Sequence, residues 1–369
     1  MRYVCITLLC LSIFFQSNAT SYGQPSPVRL VVVGLVHGHV NGFLASALKR
    51  KDIQIVGIAE ANISVAEAYR NQYNLDPSLF DKNLEAMLDA RRPEAVVVFT
   101  STFDHRAVVE ACSKRGIQVM MEKPLAVNLE HAQAIAKAAR DGKIQVMVNY
   151  ETTWYASNQA VYKMAHQSAF GEIRKMVVHD GHRGPKEIGV QPEFLAWLTD
   201  PVLDGGGALM DFGCYGANLM TWLMDNQRPL SVTAITQQIK PQIYPHVDDE
   251  ATIILTYPHA QGIIQASWNW PFDRKDIEVY GQHASALTIR RDGVRVRVAD
   301  KPEEQLTAES LEPPGDDPIG YLTAVVRRQI QPAGLSSLEN NLIVADILEA
   351  ARRSAKSGQT IRLPLKGPH

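Results

Sequence analysis

The sequence predicts an α/β protein in two parts, a doubly wound parallel sheet followed by an α/β domain with a large, mainly antiparallel open sheet. Three observations predict it. Between residues 28 and 148, five apolar runs alternate with amphipathic stretches, as strands buried on both faces and their crossover helices do. Beyond residue 150 the runs lengthen and alternate, with short polar joins such as 258–261, the pattern of antiparallel strands. The length of 369 residues accommodates two domains.

In the first domain, 28–148, strands are expected at 28–34, 53–60, 94–100, 117–121 and 144–148. Helices are expected at 41–50, 64–73, 106–115 and 129–141. In the second domain, 149–365, helices are expected at 156–167 and 211–224, and a strand at 175–179. Further strands follow at 232–239, 251–257, 262–269, 276–281, 286–290 and 294–298. The Pro- and Glu-rich stretch 301–317 reads as a surface loop, and an amphipathic helix at 338–357 closes the chain.

Residues 1–23 stand apart. Arg2 precedes an apolar run over 3–15 and a small-residue exit at Ser17 and Ala19, the build of a Sec-type signal peptide, so a secreted or periplasmic protein is expected. The run is too short to span a bilayer. Its removal takes Cys5, Cys10 and one arginine, leaving 36 basic against 39 acidic residues. That balance suggests neither a nucleic-acid nor an anionic-membrane partner. The remaining Cys112 and Cys214 read as buried free thiols.

Four segments carry chemistry. Gly34-Leu35-Val36-His37-Gly38-His39, after the first strand, occupies the place of a dinucleotide phosphate loop, although Val36 and His39 stand where glycines are usual. Glu60, ending the second strand, suits the ribose hydroxyls and would repel a 2′-phosphate, so NAD is favoured over NADP. Thr100, Ser101 and His105 follow the third strand and would line the same groove. Glu122-Lys123-Pro124 closes the fourth, at the strand end where open α/β sheets bind ligands. Some ninety residues later Gly205-Gly206-Gly207 precedes Asp211 and Tyr215, which share one face if that stretch is helical. Lysine, carboxylate and phenol make a proton-handling set for alcohol–carbonyl chemistry. A rival reading takes His37 and His39 as metal ligands of a hydrolase, with His105, His179, His182 and Asp211 completing the shell of a barrel. The antiparallel second half disfavours a barrel, so no metal is expected.

These segments resemble the Gfo/Idh/MocA oxidoreductases, typified by glucose–fructose oxidoreductase and inositol dehydrogenase. The stretches Val247-Asp248-Asp249-Glu250-Ala251-Thr252 and Gly358-Gln359-Thr360-Ile361-Arg362-Leu363-Pro364 add to the likeness. The resemblance implies a nicotinamide-binding Rossmann domain and an open-sheet domain used for homo-oligomerisation. It also implies that Lys123 bonds the reacting hydroxyl, Asp211 orients or relays the proton, and Tyr215 acts as acid–base if Lys123 lowers its pKa.

Tyr150, Trp154, His182, Arg183, Trp268 and Trp270, the two last expected on one strand face, are candidates for a carbohydrate pocket. The expected activity is therefore NAD-dependent hydride transfer at a sugar, polyol or glycoside carbon. Because free NAD is scarce outside the cytoplasm, the cofactor is expected to be tightly held and recycled, as in coupled sugar redox or transient oxidation that allows elimination of a glycosidic substituent.

Overall fold

The computed structural model describes residues 26–365; the expected signal peptide and Cys5 and Cys10 lie outside the described residues. Strand β1 (Val28–Val33) exposes only Arg29, so its apolar run is buried on both faces. It is flanked in a six-stranded parallel sheet by β2 (Ile53–Ala59), β3 (Phe80–Asp81), β4 (Ala95–Val98), β5 (Gln118–Glu122) and β6 (Val146–Asn149), in the order β3-β2-β1-β4-β5-β6. Helices α1 (Val40–Ala47), α2 (Ile63–Tyr73), α3 (Leu84–Arg91), α4 (His105–Ser113) and α5 (Leu129–Gly142) cover it. Asn62, Asn83 and Asn128 start α2, α3 and α5 by accepting backbone N–H groups, which satisfies donors that a helix start leaves over. Helices α1 and α4 have no side-chain cap at their starts.

The second domain opens with α6 (Ala156–Ala165), β7 (Ile173–Gly181), α7 (Pro192–Leu198), α8 (Ala208–Asp211) and α9 (Gly213–Leu223). Strands β8 (Ser231–Gln237), β9 (Glu250–Thr256), β10 (Gln261–Ser267), β11 (Arg274–Gly281), β12 (Ala284–Ile289), β13 (Gly293–Val298) and β14 (Glu304–Thr307) follow. After α10 (Pro318–Val326) and α11 (Leu338–Ser357), the short β15 (Ile361–Arg362) completes a nine-stranded sheet ordered β14-β13-β12-β11-β7-β10-β9-β8-β15. Only the β7–β10 pair among them is parallel. One face packs on α9 and α11; the other is open, with Ile235 and Tyr280 exposed. Ser337 caps α11 through the Asn340 N–H, and Gly358 ends it at φ +68°.

Four expectations change. The single helix at 211–224 is two, α8 and α9, because the chain turns at Phe212. The stretch 301–317 contains strand β14. Helices α3 and α7 and the short strands β3 and β15 lie where no element was expected. Helix α10 crosses back to the first sheet, where Ile319, Leu322 and Val325 join the core of Leu30, Val32, Phe99 and Met120. Burying such side chains stabilises by roughly 1.5–3 kcal/mol each, so the second half of the chain helps hold the first together. Cys112 and Cys214 are buried and unpaired.

Candidate active site

Lys123 follows the end of β5, at the carboxyl edge of the parallel sheet, and meets the α8–α9 corner of the second domain. That corner is held from behind. The Asp248 carboxylate accepts the Gly207 N–H at 3.1 Å and the Leu209 N–H at 2.7 Å. A Cβ at residue 207 would stand 1.8 Å from the Asp248 carbonyl oxygen, so only glycine fits. Asp211, ending α8, thereby reaches Lys123: Nζ donates to the carboxylate Oδ1 and, at 3.2 Å, to the Asp211 carbonyl. Trp268 Nε1 donates to Oδ2 at 2.9 Å. Both charges are buried. Burial alone would discharge each, but it is outweighed by the partner, which raises the lysine pKa and lowers the carboxyl's. The pair is an ammonium and a carboxylate.

Tyr215, in the first turn of α9, has two cations close to its ring. Its ring centroid is 5.4 Å from Lys123 Nζ and 4.6 Å from Lys275 Nζ. Its hydroxyl has no hydrogen-bond partner among the described residues, and the ring walls a cavity of about 310 Å³ with His37, Lys123, His182, Asp211 and Lys275. The expectation that Lys123 lowers the phenol pKa fails. Burial, reinforced by Asp180 and Glu151, pushes it well above its ordinary value, and Lys123 is committed to Asp211. Tyr215 is therefore a neutral phenol, a proton donor.

Lys275 is the main residue that sequence reasoning missed. It donates to Glu151 Oε2 at 2.7 Å, and although burial opposes its charge, Asp180 and Glu151 raise its pKa. The available signal was parity: Lys275 shares the inward face of β11 with Ile277 and Val279, where a cation needs a reason. Asp180 is buried with Oδ1 unpartnered, and burial pushes its carboxyl well above the usual range. His182 accepts the Gly184 N–H through Nδ1 at 2.9 Å, so the neutral ring carries its proton on Nε2.

The loop after β1 fits a dinucleotide. Gly34 has φ +79°, and a Cβ there would stand 2.7 Å from Thr100 Cγ2, so the backbone turns where no side chain could. The uncapped start of α1 leaves N–H groups directed at whatever lies above it. Glu60 Oε2 accepts the Leu35 N–H at 2.7 Å and Oε1 the Asn62 N–H at 2.8 Å, which fixes the carboxylate beside a hollow of about 280 Å³ at the end of β2. Helix α7 roofs the loop. Trp197 Nε1 donates to the Val36 carbonyl at 3.2 Å, and the buried His37 ring lies 4.6 Å from Phe194. Burial keeps His37 neutral, and Gly38 faces Gln191. His39 Nδ1 meets Glu122 Oε2 at 3.0 Å, and Asn149 holds the other Glu122 oxygen at 2.9 Å.

Other candidates lie elsewhere. His105 is buried with Nδ1 on the Leu125 carbonyl at 3.3 Å, and Ser101 donates to Asp104 at 2.7 Å; both serve the turn into α4. Of the six carbohydrate candidates, only His182 lines the cavity beside Lys123. Tyr150 is buried edge-on behind Tyr215, at 5.3 Å between ring centroids. Trp154 bonds Asn149 and lines another cavity, of about 540 Å³, beside α1 and α10, which also borders Gly38, His39 and Glu122. Arg183 is exposed, with its carbonyl taken by Lys240. Trp268 and Trp270 do not share a strand face: β10 ends at Ser267, Trp268 is interior on Asp211, and Trp270 lies over Gly181. Nor do the hydrolase ligands converge. His37, His39 and Glu122 have donor atoms within 4.8 Å of one another, but His105 is on Leu125, His179 on Asp276 in a different cluster, and the fold is no barrel.

Buried groups set a pH dependence, His105 and Glu122 among them alongside the neutral His37. Burial lowers His105 from 6.5 to about 4. The folded ring thus takes up a proton less readily than the unfolded chain, and stability falls as pH drops from 6.5 towards 4. Glu122, where burial is outweighed by His39, is lowered from 4.5 to about 2, so its stabilisation holds above 4.5 and is lost below. Each is worth about 3 kcal/mol. Urea midpoints measured against pH are expected to decline from about pH 6.5, and His105→Gln, which keeps a donor for Leu125, makes the decline shallower while the buried His37 keeps its onset. A midpoint flat down to about pH 4 contradicts this assignment.

The chain and its fold are similar to known proteins. Residues 28–150 match the oxidoreductase family with NAD-binding Rossmann fold, and 158–287 match the GFO/IDH/MocA C-terminal domain. A trans-1,2-dihydrobenzene-1,2-diol dehydrogenase of Xenopus tropicalis is 27% identical over 215 residues, 58% of this chain and 60% of that relative's length. The fold is shared with an aldose-aldose oxidoreductase from Caulobacter crescentus, crystallised with glycerol, at a TM-score of 0.78 and 19% identity, covering 91% of this chain and 100% of the other. It is shared also with an inositol dehydrogenase homologue from Azotobacter vinelandii, crystallised with NAD+, at 0.78 and 21%, covering 92% and 98%.

Proposed function

Since this chain belongs to the GFO/IDH/MocA oxidoreductases and carries their NAD-binding domain, we propose that it moves hydride between NAD and an alcohol carbon of a sugar, polyol or glycoside. The observation that carries this reading is the buried Lys123–Asp211 pair, drawn from two domains and facing Tyr215 across one cavity.

The backbone turn at Gly34, the uncapped start of α1 and Glu60 would hold the pyrophosphate and ribose, and Glu122 and His39 would lie along the nicotinamide side. When bound, the cofactor supplies a hydride acceptor or donor. The chain's own groups manage the oxygen. Lys123 presents an ammonium to the reacting oxygen and stabilises an alkoxide there. Asp211 cannot pass a proton outward, because Lys123 and Trp268 occupy its two oxygens; it keeps Lys123 charged and aimed. Tyr215 and His182 Nε2 are donors on the cavity wall, able to protonate that oxygen on reduction. Lys275 holds positive charge against the Tyr215 ring, which favours any phenolate formed on the reverse step.

Export with retained cofactor belongs to the same reading. The leader at 1–23 supports export, and the α7 roof over the phosphate loop supports slow exchange. A retained cofactor must return to its starting state, by coupled redox of two substrates or by transient oxidation with elimination. The open sheet face, with Ile235 and Tyr280 exposed, supports self-association. Denaturing the purified protein should release about one NAD per chain. Trp197→Ala, which removes the contact to Val36, should raise the cofactor dissociation rate roughly tenfold. A wild-type preparation with no nucleotide and no affinity for it would reject the proposal.

A further inference from the structure

The cavity beside Lys123 has a neighbour behind two of its wall residues. It shares His182 and Lys275 with a second, open chamber of about 1020 Å³, formed at the ends of β11 and β12 and by the β12–β13 hairpin. The smaller space suits one sugar ring, and the larger is the size of a complete ligand site. The chamber's lining is cationic in a protein of net negative charge: Arg274, Lys275, Arg290, Arg291 and Arg295 against the carboxylates Glu151, Asp273 and Asp276.

The pairings leave charge over. Arg274 is held by Asp276 at 2.5 Å and Lys275 by Glu151 at 2.7 Å. Arg295 reaches Glu303 at 3.4 Å. Arg291 stands 3.7 Å from Glu151, a carboxylate already taken, with its guanidinium 4.8 Å from the Tyr155 ring centroid. Arg290 has no carboxylate partner among the described residues. The hairpin that carries these two arginines is anchored rather than loose: Ser157 donates its Oγ–H to the Arg290 carbonyl at 2.8 Å and its N–H to the Arg291 carbonyl at 3.0 Å. Two exposed guanidinium groups carried side by side on an anchored backbone offer an anion two cationic, fork-shaped donors.

We propose that the chamber binds an anionic group, carboxylate or phosphate, borne by the part of the substrate that extends past Lys275 and His182. The substrate is then an acidic sugar or acidic glycoside, with its reacting ring at Lys123 and its charge at Arg290 and Arg291. This rests on the reading of the cleft as a carbohydrate redox site and adds to it the class of substrate.

Titration calorimetry with D-glucose, D-glucuronate and D-glucose 6-phosphate tests it on the purified enzyme, with bound NAD assayed separately in each preparation. Both or either acidic probe should bind about tenfold or more tighter than D-glucose, with an affinity that falls as salt rises. The doubly substituted Arg290→Gln/Arg291→Gln protein, which keeps the anchoring carbonyls, should lose roughly that tenfold for the acidic probes and keep its affinity for D-glucose. The probe preferred by the wild type identifies carboxylate or phosphate. Acidic probes that bind no tighter than D-glucose, or equally well to the arginine variant, overturn the proposal. NAD present in those same samples would leave the oxidoreductase reading standing.

Discussion

Lys123→Met is expected to lower kcat by roughly a thousandfold, within the range that removal of a positioned acid–base or charge-stabilising group produces. The NAD content of the protein should survive. Stability should not: a buried carboxylate left without its cation costs about 3–5 kcal/mol, and the Asp211 carboxylate retains only Trp268 as a side-chain partner among the described residues. The two losses are separable. Lys123→Met/Asp211→Leu removes both charges and should recover much of the melting temperature, because apolar replacement of a buried pair is often neutral, with turnover still absent. If instead the double variant regained activity, the lysine would be structural.

Tyr215→Phe carries the second large effect, a fall in kcat of about a hundredfold or more with KM little changed. The substitution keeps the ring close to Lys123 and Lys275 and its edge contact with Tyr150. Only the cavity-facing hydroxyl is lost, so the melting temperature should hold. Burial keeps the phenol well above its usual range, and no break in the wild-type rate profile below about pH 10 should disappear in the variant. A variant with wild-type kcat would move the proton donor's role to His182.

The sequence made the first domain readable because strands covered on both faces are apolar at every position, and crossover helices are not. Lys123 and Asp211 were readable for a related reason: each is a charge where the pattern calls for burial, and a buried charge needs a partner. Lys275 obeys the same logic but sits on a strand whose neighbours 274–278 are nearly all polar, so its inward parity shows only once Ile277 and Val279 are seen to be buried. Trp268 looked like a sugar-stacking face and instead secures Asp211, because β10 ends one residue earlier. The roof of Phe194 and Trp197 was invisible: the seven residues of α7, opening on a proline, carry little periodicity, and their partners lie more than 150 residues away in the loop after β1. Long-range packing of this kind is decided by how the domains meet, and local pattern does not encode it.

The most direct test is single-turnover spectroscopy at the nicotinamide absorbance band, with NAD-loaded protein mixed against a panel of neutral and acidic sugars. The account predicts a reduced-nicotinamide signal with at least one sugar in the wild type, and none in a Lys123→Met protein shown to hold the same NAD. Equal signals in the two proteins, or loaded wild-type protein silent with every sugar while another nucleophilic or hydrolytic product accumulates, would contradict it.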